Sequence, residues 1–153
     1  MGKPRYTLVL EETPNPEDVQ AVRDALTTFN TDAVGPDNHL PLALFVRDRH
    51  GQIVGGLLGD TFWGWLHIEI LWVDDTLRGQ GFGGDLLAAA EREALRRGCH
   101  AAFVDTMSFQ APGFYERHGY TLFGKLDDFP VGYTRHYYAK RLRQMNGSEL
   151  EQK

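Results

Sequence analysis

Apolar residues recur along this chain at two different spacings, and the alternation between them predicts the elements. Val19, Val22, Leu26 and Phe29 are three, four and three apart, which is the stripe of a half-buried helix packed on a core. Asn15 before Pro16, with Glu17 and Asp18 in the first turn, sets its start, and the pattern predicts a helix to about Asn30. Residues 6–11 read as a short strand. Residues 42–47 and 52–59 read as two strands joined by Asp48-Arg49-His50-Gly51, a tight turn closed by glycine. In residues 65–73 the even positions Leu66, Ile68, Ile70 and Trp72 are all apolar. The odd ones carry His67 and Glu69 before Leu71 and Val73, so one face belongs to the core and the other is partly polar. Residues 83–97 turn helical, with Leu86, Leu87, Ala90 and Ala94 on one side, Glu91, Arg92, Glu93, Arg96 and Arg97 largely on the other, and Gly98 as cap. A short strand at 100–105, a short helix at 111–118 ending at Gly119, a strand at 120–125, a loop and a last strand at 134–141 complete the chain.

That order of elements is α/β, and 153 residues make one domain with one sizeable core. No linker or repeat divides it, so residues 1–143 read as one domain and 144–153 as a polar C-terminal tail. Sixteen Lys and Arg stand against 21 Asp and Glu, a net charge of -5, which argues against a nucleic-acid partner. Cys99 is the sole cysteine, which excludes a disulfide framework or a multi-cysteine metal site and points to a reducing compartment. With no secretory segment and no apolar run of membrane length, the expectation is a cytoplasmic protein without a membrane partner. A homodimer is left open.

Glycine changes the picture. There are 17, and four lie in Arg78-Gly79-Gln80-Gly81-Phe82-Gly83-Gly84, between a strand and an amphipathic helix. Glycines there let backbone approach a ligand, and free amides at a helix N-terminus attract an anion, so a phosphate-bearing ligand is expected. Gly79, Gly81 and Gly84 match the dinucleotide pattern G-x-G-x-x-G, with Asp105 about 20 residues on as a ribose-binding acid. Against that reading, five residues separate Val73 from Gly79, fewer than 50 residues follow Asp105, and a hairpin precedes the motif.

The other register, Arg78-x-x-Gly81-x-Gly83, resembles the Q/R-x-x-G-x-G/A signature of the GCN5-related N-acetyltransferase superfamily. Downstream, Ala111-Pro112-Gly113-Phe114-Tyr115-Glu116-Arg117-His118-Gly119-Tyr120 resembles that family's A-x-x-x-Y-x-x-x-G-F/Y segment. The resemblance covers almost the whole chain. It implies the acyl-CoA N-acyltransferase fold, a mixed, mainly antiparallel sheet flanked by helices and splayed at the coenzyme site. It also implies an N-acetyltransferase that moves acetyl from acetyl-coenzyme A to a primary amine of a small molecule or peptide by direct attack. By that resemblance the amides of Gln80, Gly81, Phe82, Gly83 and Gly84, with Arg78 and Gly79 beside them, hold the pyrophosphate. Leu71, Trp72 and Val73 pair with the pantetheine arm and offer an amide to the thioester carbonyl. Tyr115 approaches the sulfur as general acid, and Ser108 stands where many relatives carry Asn.

An amine is mostly protonated at neutral pH and needs a base before it can attack. Glu69, on the polar face of its strand just before the implied coenzyme-binding end, is the candidate. His67 is an alternative, and Asp60 and Asp105 could steer a cationic acceptor. The six histidines lack metal-site spacing, so no metal is expected. Two other classes stay open, a non-catalytic acyl-CoA-binding module and an NAD-binding oxidoreductase.

Overall fold

The computed structural model describes residues 5–143; the polar tail at 144–153 lies outside them. The chain divides into two compact units, Met1–Asp37 and Asn38–Lys153. The first is essentially one helix, α1 (Pro16–Val34), capped by the Asn15 side chain, which accepts from the Glu17 amide at 3.0 Å. It runs past Asn30 because neither glycine nor proline interrupts it before Gly35, which ends it at φ 85°. Taken by itself, the unit offers α1 no second helix or strand among its described residues for the stripe of Val19, Val22, Leu26 and Phe29 to pack against. Residues 6–11 form no strand, since a strand exists only within a ladder and none of the described residues pairs with them.

The second unit is a six-stranded sheet with two helices. Its strands are β1 (Leu40–Arg47), β2 (Ile53–Phe62), β3 (Trp65–Val73), β4 (Ala101–Met107), β5 (Thr121–Asp127) and β6 (Thr134–Arg141), in the order β1-β2-β3-β4-β6-β5. Every neighbouring pair is antiparallel except β3 and β4, whose parallel pairing requires the crossover through α2 (Phe82–Arg96). A short helix, α3 (Pro112–Arg117), links β4 to β5. The turn between β1 and β2 is as expected, with the Asp48 carboxylate accepting from the amides of His50 and Gln52.

The core sits between the sheet and these helices. Leu42, Leu57, Leu66 and Ile68 pack with Leu86, Leu87, Ala90 and Ala94 of α2, and Tyr115, Tyr120 and Tyr138 extend the core toward α3. Arg97, just past α2, ties the helix end to the hairpin. It donates to the Thr61 hydroxyl and to the carbonyls of Leu40 and Pro41 while paired with Glu93. Glu91 accepts from Lys140 at 3.0 Å and from the Tyr120 hydroxyl at 3.0 Å, so a partly buried charge on α2 is met from both strand and loop.

The even-face expectation for β3 holds only for half the strand. Leu58 lies opposite Ile70 and Gly59 opposite Ile68, which leaves Glu69 as the extra residue of a β-bulge. Beyond it the faces exchange: Ile70 and Trp72 become 48% and 46% exposed, while Leu71 and Val73 pack on the core. The bulge requires glycine opposite it. A Cβ on Gly59 would lie 2.1 Å from the His67 carbonyl oxygen, a distance no side chain tolerates.

Candidate active site

The pairing of β3 with β4 ends at Ile68 opposite Val104. From there β3 stays bonded to β2 through Val73 and β4 stays bonded to β6 through Met107, so the two strands diverge and each keeps a backbone edge open toward the gap. The gap widens into a cleft of about 1200 Å³. Its walls are residues 69–73 of β3, the loop and first turn of α2, Val104, Asp105 and Thr106 of β4, and Phe114, Tyr115 and Arg117 of α3 with His118 just past its end. One long pocket therefore has a peptide edge along one side and a helix N-terminus at one end.

The loop is organised before the helix begins. Asp74 accepts from the Thr76 amide and hydroxyl at 2.9 and 2.7 Å, contacts that hold its carboxyl below the usual range. Gly79 and Gly81 adopt φ 78° and 85°, conformations that suit glycine, and Gly81 is the N-cap of α2 with no side-chain cap. The first-turn amides of Phe82, Gly83 and Gly84 have no intrahelical acceptor, and the helix dipole adds positive charge behind them. Gly83 and Gly84 have a different reason to be glycine. Added Cβ atoms would press on the Phe114 ring at 3.3 Å and the His118 imidazole at 3.1 Å, so they let α3 close against the start of α2. Arg78 is paired with Asp75 at 2.7 Å. Arg117 lines the cleft without an ion pair among the described residues.

Three tyrosines cluster beneath the cleft. Tyr120 donates to Glu91 and Tyr138 to Glu116, each at 3.0 Å. Tyr115 stacks on Tyr138 and meets Phe114 and Tyr120 edge-on, yet its hydroxyl makes no hydrogen bond among the described residues. No buried side-chain polar atom is left unpartnered there, so this hydroxyl reaches open space, and the space it reaches is the cleft that Tyr115 lines. Burial, with the Asp105 charge adding to it, pushes the phenol up to about 12. Tyr115 therefore keeps its proton at any physiological pH and has no acceptor for it among the described residues.

The candidate acids and bases separate by their partners. Glu69 lines the cleft at the bulge, is exposed, and has no ion pair or hydrogen bond among the described residues. Asp105, like Glu69 one residue past the last β3–β4 pair, accepts from Arg135 Nε at 2.6 Å. Asp60 uses both oxygens on histidines, 2.8 Å to His39 and 3.0 Å to His67, and the His67 ring stacks on Phe103 at 4.7 Å. Neither Asp60 nor His67 lines the cleft. Gln80 and Ser108 also fall outside it: the Gln80 side chain donates to the Thr76 carbonyl, and Ser108 exchanges hydrogen bonds with the Thr134 backbone. Leu71, Trp72, Val73, Arg78, Gly79, Gly81, Phe82, Gly83 and Gly84 all line it. Cys99 is buried, which raises its thiol and leaves it inert. Among the described residues, no helix is long and apolar enough to cross a membrane.

Gly59, Arg117, Arg135 and Gln110 are contributors that the sequence reading did not single out. Gln110 accepts from the Met107 amide and the Thr106 hydroxyl, pinning the turn that leads β4 into α3. A glycine inside an otherwise apolar strand was the available signal for Gly59; the other three carry none.

A parted parallel pair above a helix N-terminus is the architecture of one acyltransferase fold, and the comparisons agree. The model of the acetyltransferase (GNAT) family matches residues 6–120. An acetyltransferase of Agrobacterium fabrum is 38% identical over 133 residues, covering 87% of this chain and 97% of its own. A blasticidin-S acetyltransferase of Streptomyces morookaense is 45% identical over 101 residues, covering 65% and 74%. A crystal structure of an acetyltransferase from Agrobacterium tumefaciens superposes with a TM-score of 0.83 at 37% identity, over 89% of this chain and 99% of that one. The chain belongs to the GNAT family and is an acetyl-coenzyme A-dependent acetyltransferase.

Proposed function

We propose that the protein transfers acetyl from acetyl-coenzyme A to a primary amine of a small molecule or peptide by direct attack, with Glu69 as base and Tyr115 as acid. One observation carries this reading: at the point where β3 and β4 part, the cleft is lined by a carboxylate and a protonated hydroxyl, neither of which has a hydrogen-bond partner among the described residues. The name of the Streptomyces relative, a blasticidin-S acetyltransferase, supports a small molecule over a peptide. The open edge of β3 at Leu71, Trp72 and Val73 suits an extended, amide-bearing arm, and the free amides from Phe82 to Gly84 suit a pyrophosphate. Arg78, Gly79, Gln80 and Gly81 shape that loop; Ser108 holds the start of β6 through Thr134.

Glu69 takes a proton from the acceptor ammonium, directly or through one water. The neutral nitrogen attacks the thioester carbonyl carbon, and a backbone N–H on the open edge of β3 stabilises the oxyanion. The C–S bond then breaks, the electron pair leaves on sulfur and Tyr115 protonates it, while the second proton that the attacking nitrogen sheds on becoming an amide passes through water to the Tyr115 phenolate and restores the phenol. Free-thiol release tests both assignments. Glu69→Gln should depress the rate chiefly at lower pH, and an unaltered pH profile retires Glu69 as base. Tyr115→Phe should lower kcat by about a hundredfold or more while sparing coenzyme affinity; an unchanged kcat removes Tyr115 as acid.

A further inference from the structure

Asp105 and Arg135 make a pair that is not used up. Arg135 Nε and Nη2 both contact the same carboxylate oxygen, Oδ2. Asp105 Oδ1 and Arg135 Nη1 have no hydrogen bond among the described residues. Because no buried polar atom there is left unpartnered, both reach solvent. The guanidinium is fixed in place, its carbon 4.6 Å from the Phe129 ring centre and 5.7 Å from that of Tyr137. A held guanidinium with a free N–H loses little entropy on meeting an anion. Asp105 and Glu69 both line the cleft, each one residue past the last β3–β4 pair. Two groups on the cleft wall, the Glu69 carboxylate and the free Oδ1 of Asp105, thus have a third behind them, the free guanidinium corner of Arg135, which is not itself a lining residue but is held by its ion pair to Asp105. A plain amine would use the first two and be repelled by the third.

We propose that Asp105 and Arg135 recognise the acceptor, and that the acceptor is an amine carrying an acid group, carboxylate or phosphonate, a few bonds from its nitrogen. The ammonium lies between Glu69 and Asp105 Oδ1, and the acid group takes the N–H of Arg135 Nη1. This rests on acetyl transfer to an amine as proposed above. The test compares propylamine, β-alanine and 2-aminoethylphosphonate as acceptors, by free-thiol release and by calorimetry on the coenzyme A-loaded protein. In the wild type the acid-bearing amines should exceed propylamine by about ten- to a hundredfold in kcat/KM, mainly through KM. The two acids against each other separate carboxylate from phosphonate. Arg135→Gln should bring that ratio close to one and Arg135→Lys should restore part of it, with a melting curve checking each fold. If Arg135→Gln fails to fold, the wild-type ratio and Arg135→Lys still decide. Equal kcat/KM or equal affinity for all three amines overturns the proposal but leaves acetyl transfer standing. Selective binding of the acid-bearing amines without turnover of any amine supports the recognition and overturns the transfer reading instead. Binding of none of the three overturns the recognition.

Discussion

The two halves of β3 are drawn from the same kinds of residue and do opposite things. Residues 65–68 are hydrogen-bonded on both edges, and Leu66 and Ile68 are fully buried under α2. Residues 69–73 are bonded to β2 alone and turn Ile70 and Trp72 outward. A single extra residue separates the halves. With Glu69 bulged opposite Gly59, pairing with β4 stops, the faces exchange, and a carboxylate is left at the point of divergence. The closed half gives the unit its stability; the open half gives up backbone partners so that a ligand can supply them. A binding edge can therefore be built into the middle of a sheet by one register shift, without a long loop.

If the closed half is the stabilising one, Leu66→Ala is the most damaging of four changes. Loss of a fully buried leucine should cost about 2–5 kcal/mol and lower Tm by roughly 10 °C. Well below that Tm, coenzyme affinity should be close to wild type. A melt within a degree of wild type would mean that this half does not carry the packing. Gly59→Ala attacks the boundary itself. Its Cβ would meet backbone and not a yielding side chain, so about 1–3 kcal/mol of stability should go. Because Glu69 moves with the bulge, kcat/KM should fall further than stability predicts. Denaturant titration beside thiol release reads both, and a variant equal to wild type in each would dispose of the bulge as the organising feature.

Much of the closed half was legible in the sequence. The β1–β2 turn, the apolar face of α2 and the element order all follow from local spacing, and locally determined features survive folding. Two readings failed for one shared reason, that each depends on residues elsewhere. The even-face pattern of β3 looked continuous because the shift that breaks it is permitted by a glycine on β2. Residues 6–11 alternate like a strand but form none. In the site, the glycine loop and Tyr115 were visible as motifs. The sequence could not say that Gly83 and Gly84 make room for α3, or that Tyr115 is the one tyrosine of three without an acceptor. The Asp105–Arg135 pair joins residues 30 positions apart and has no local signature.

The tyrosines beneath the cleft offer a comparison by pH. Burial is the first cause that raises Tyr115, Tyr120 and Tyr138, and for Tyr120 and Tyr138 a glutamate neighbour adds to it. A raised folded value means that the native state holds protons the unfolded chain releases. The stability that Tyr115 contributes is thus complete below about pH 10, the ordinary phenol value, and is lost as pH rises toward about 12. For Tyr115 the loss is on the order of 2 kcal/mol. Denaturant titrations between pH 8 and pH 11 should show stability falling only above about pH 10, and less steeply in Tyr115→Phe. An identical slope in the variant would mean that Tyr115 titrates freely and is open to water throughout.

The smallest effect should come from the open half. Trp72 has the bulk of a core residue, but it is 46% exposed and lines the cleft from the open half of β3. Trp72→Ala should change stability by no more than about 0.5 kcal/mol, an unusually low figure for loss of an indole. Its ladder bonds to β2 remain, and so does the open edge. Where the side chain lines the cleft, its loss should appear as a raised KM for acetyl-coenzyme A with kcat nearly unchanged, since an interaction removed equally from ground and transition states alters binding alone. A stability loss of 3 kcal/mol or more, the usual range for a buried indole, would place Trp72 in a core and abolish the distinction between the two halves of the strand. A fall in kcat at constant KM would leave that distinction intact and move the indole from the binding wall to the reacting centre.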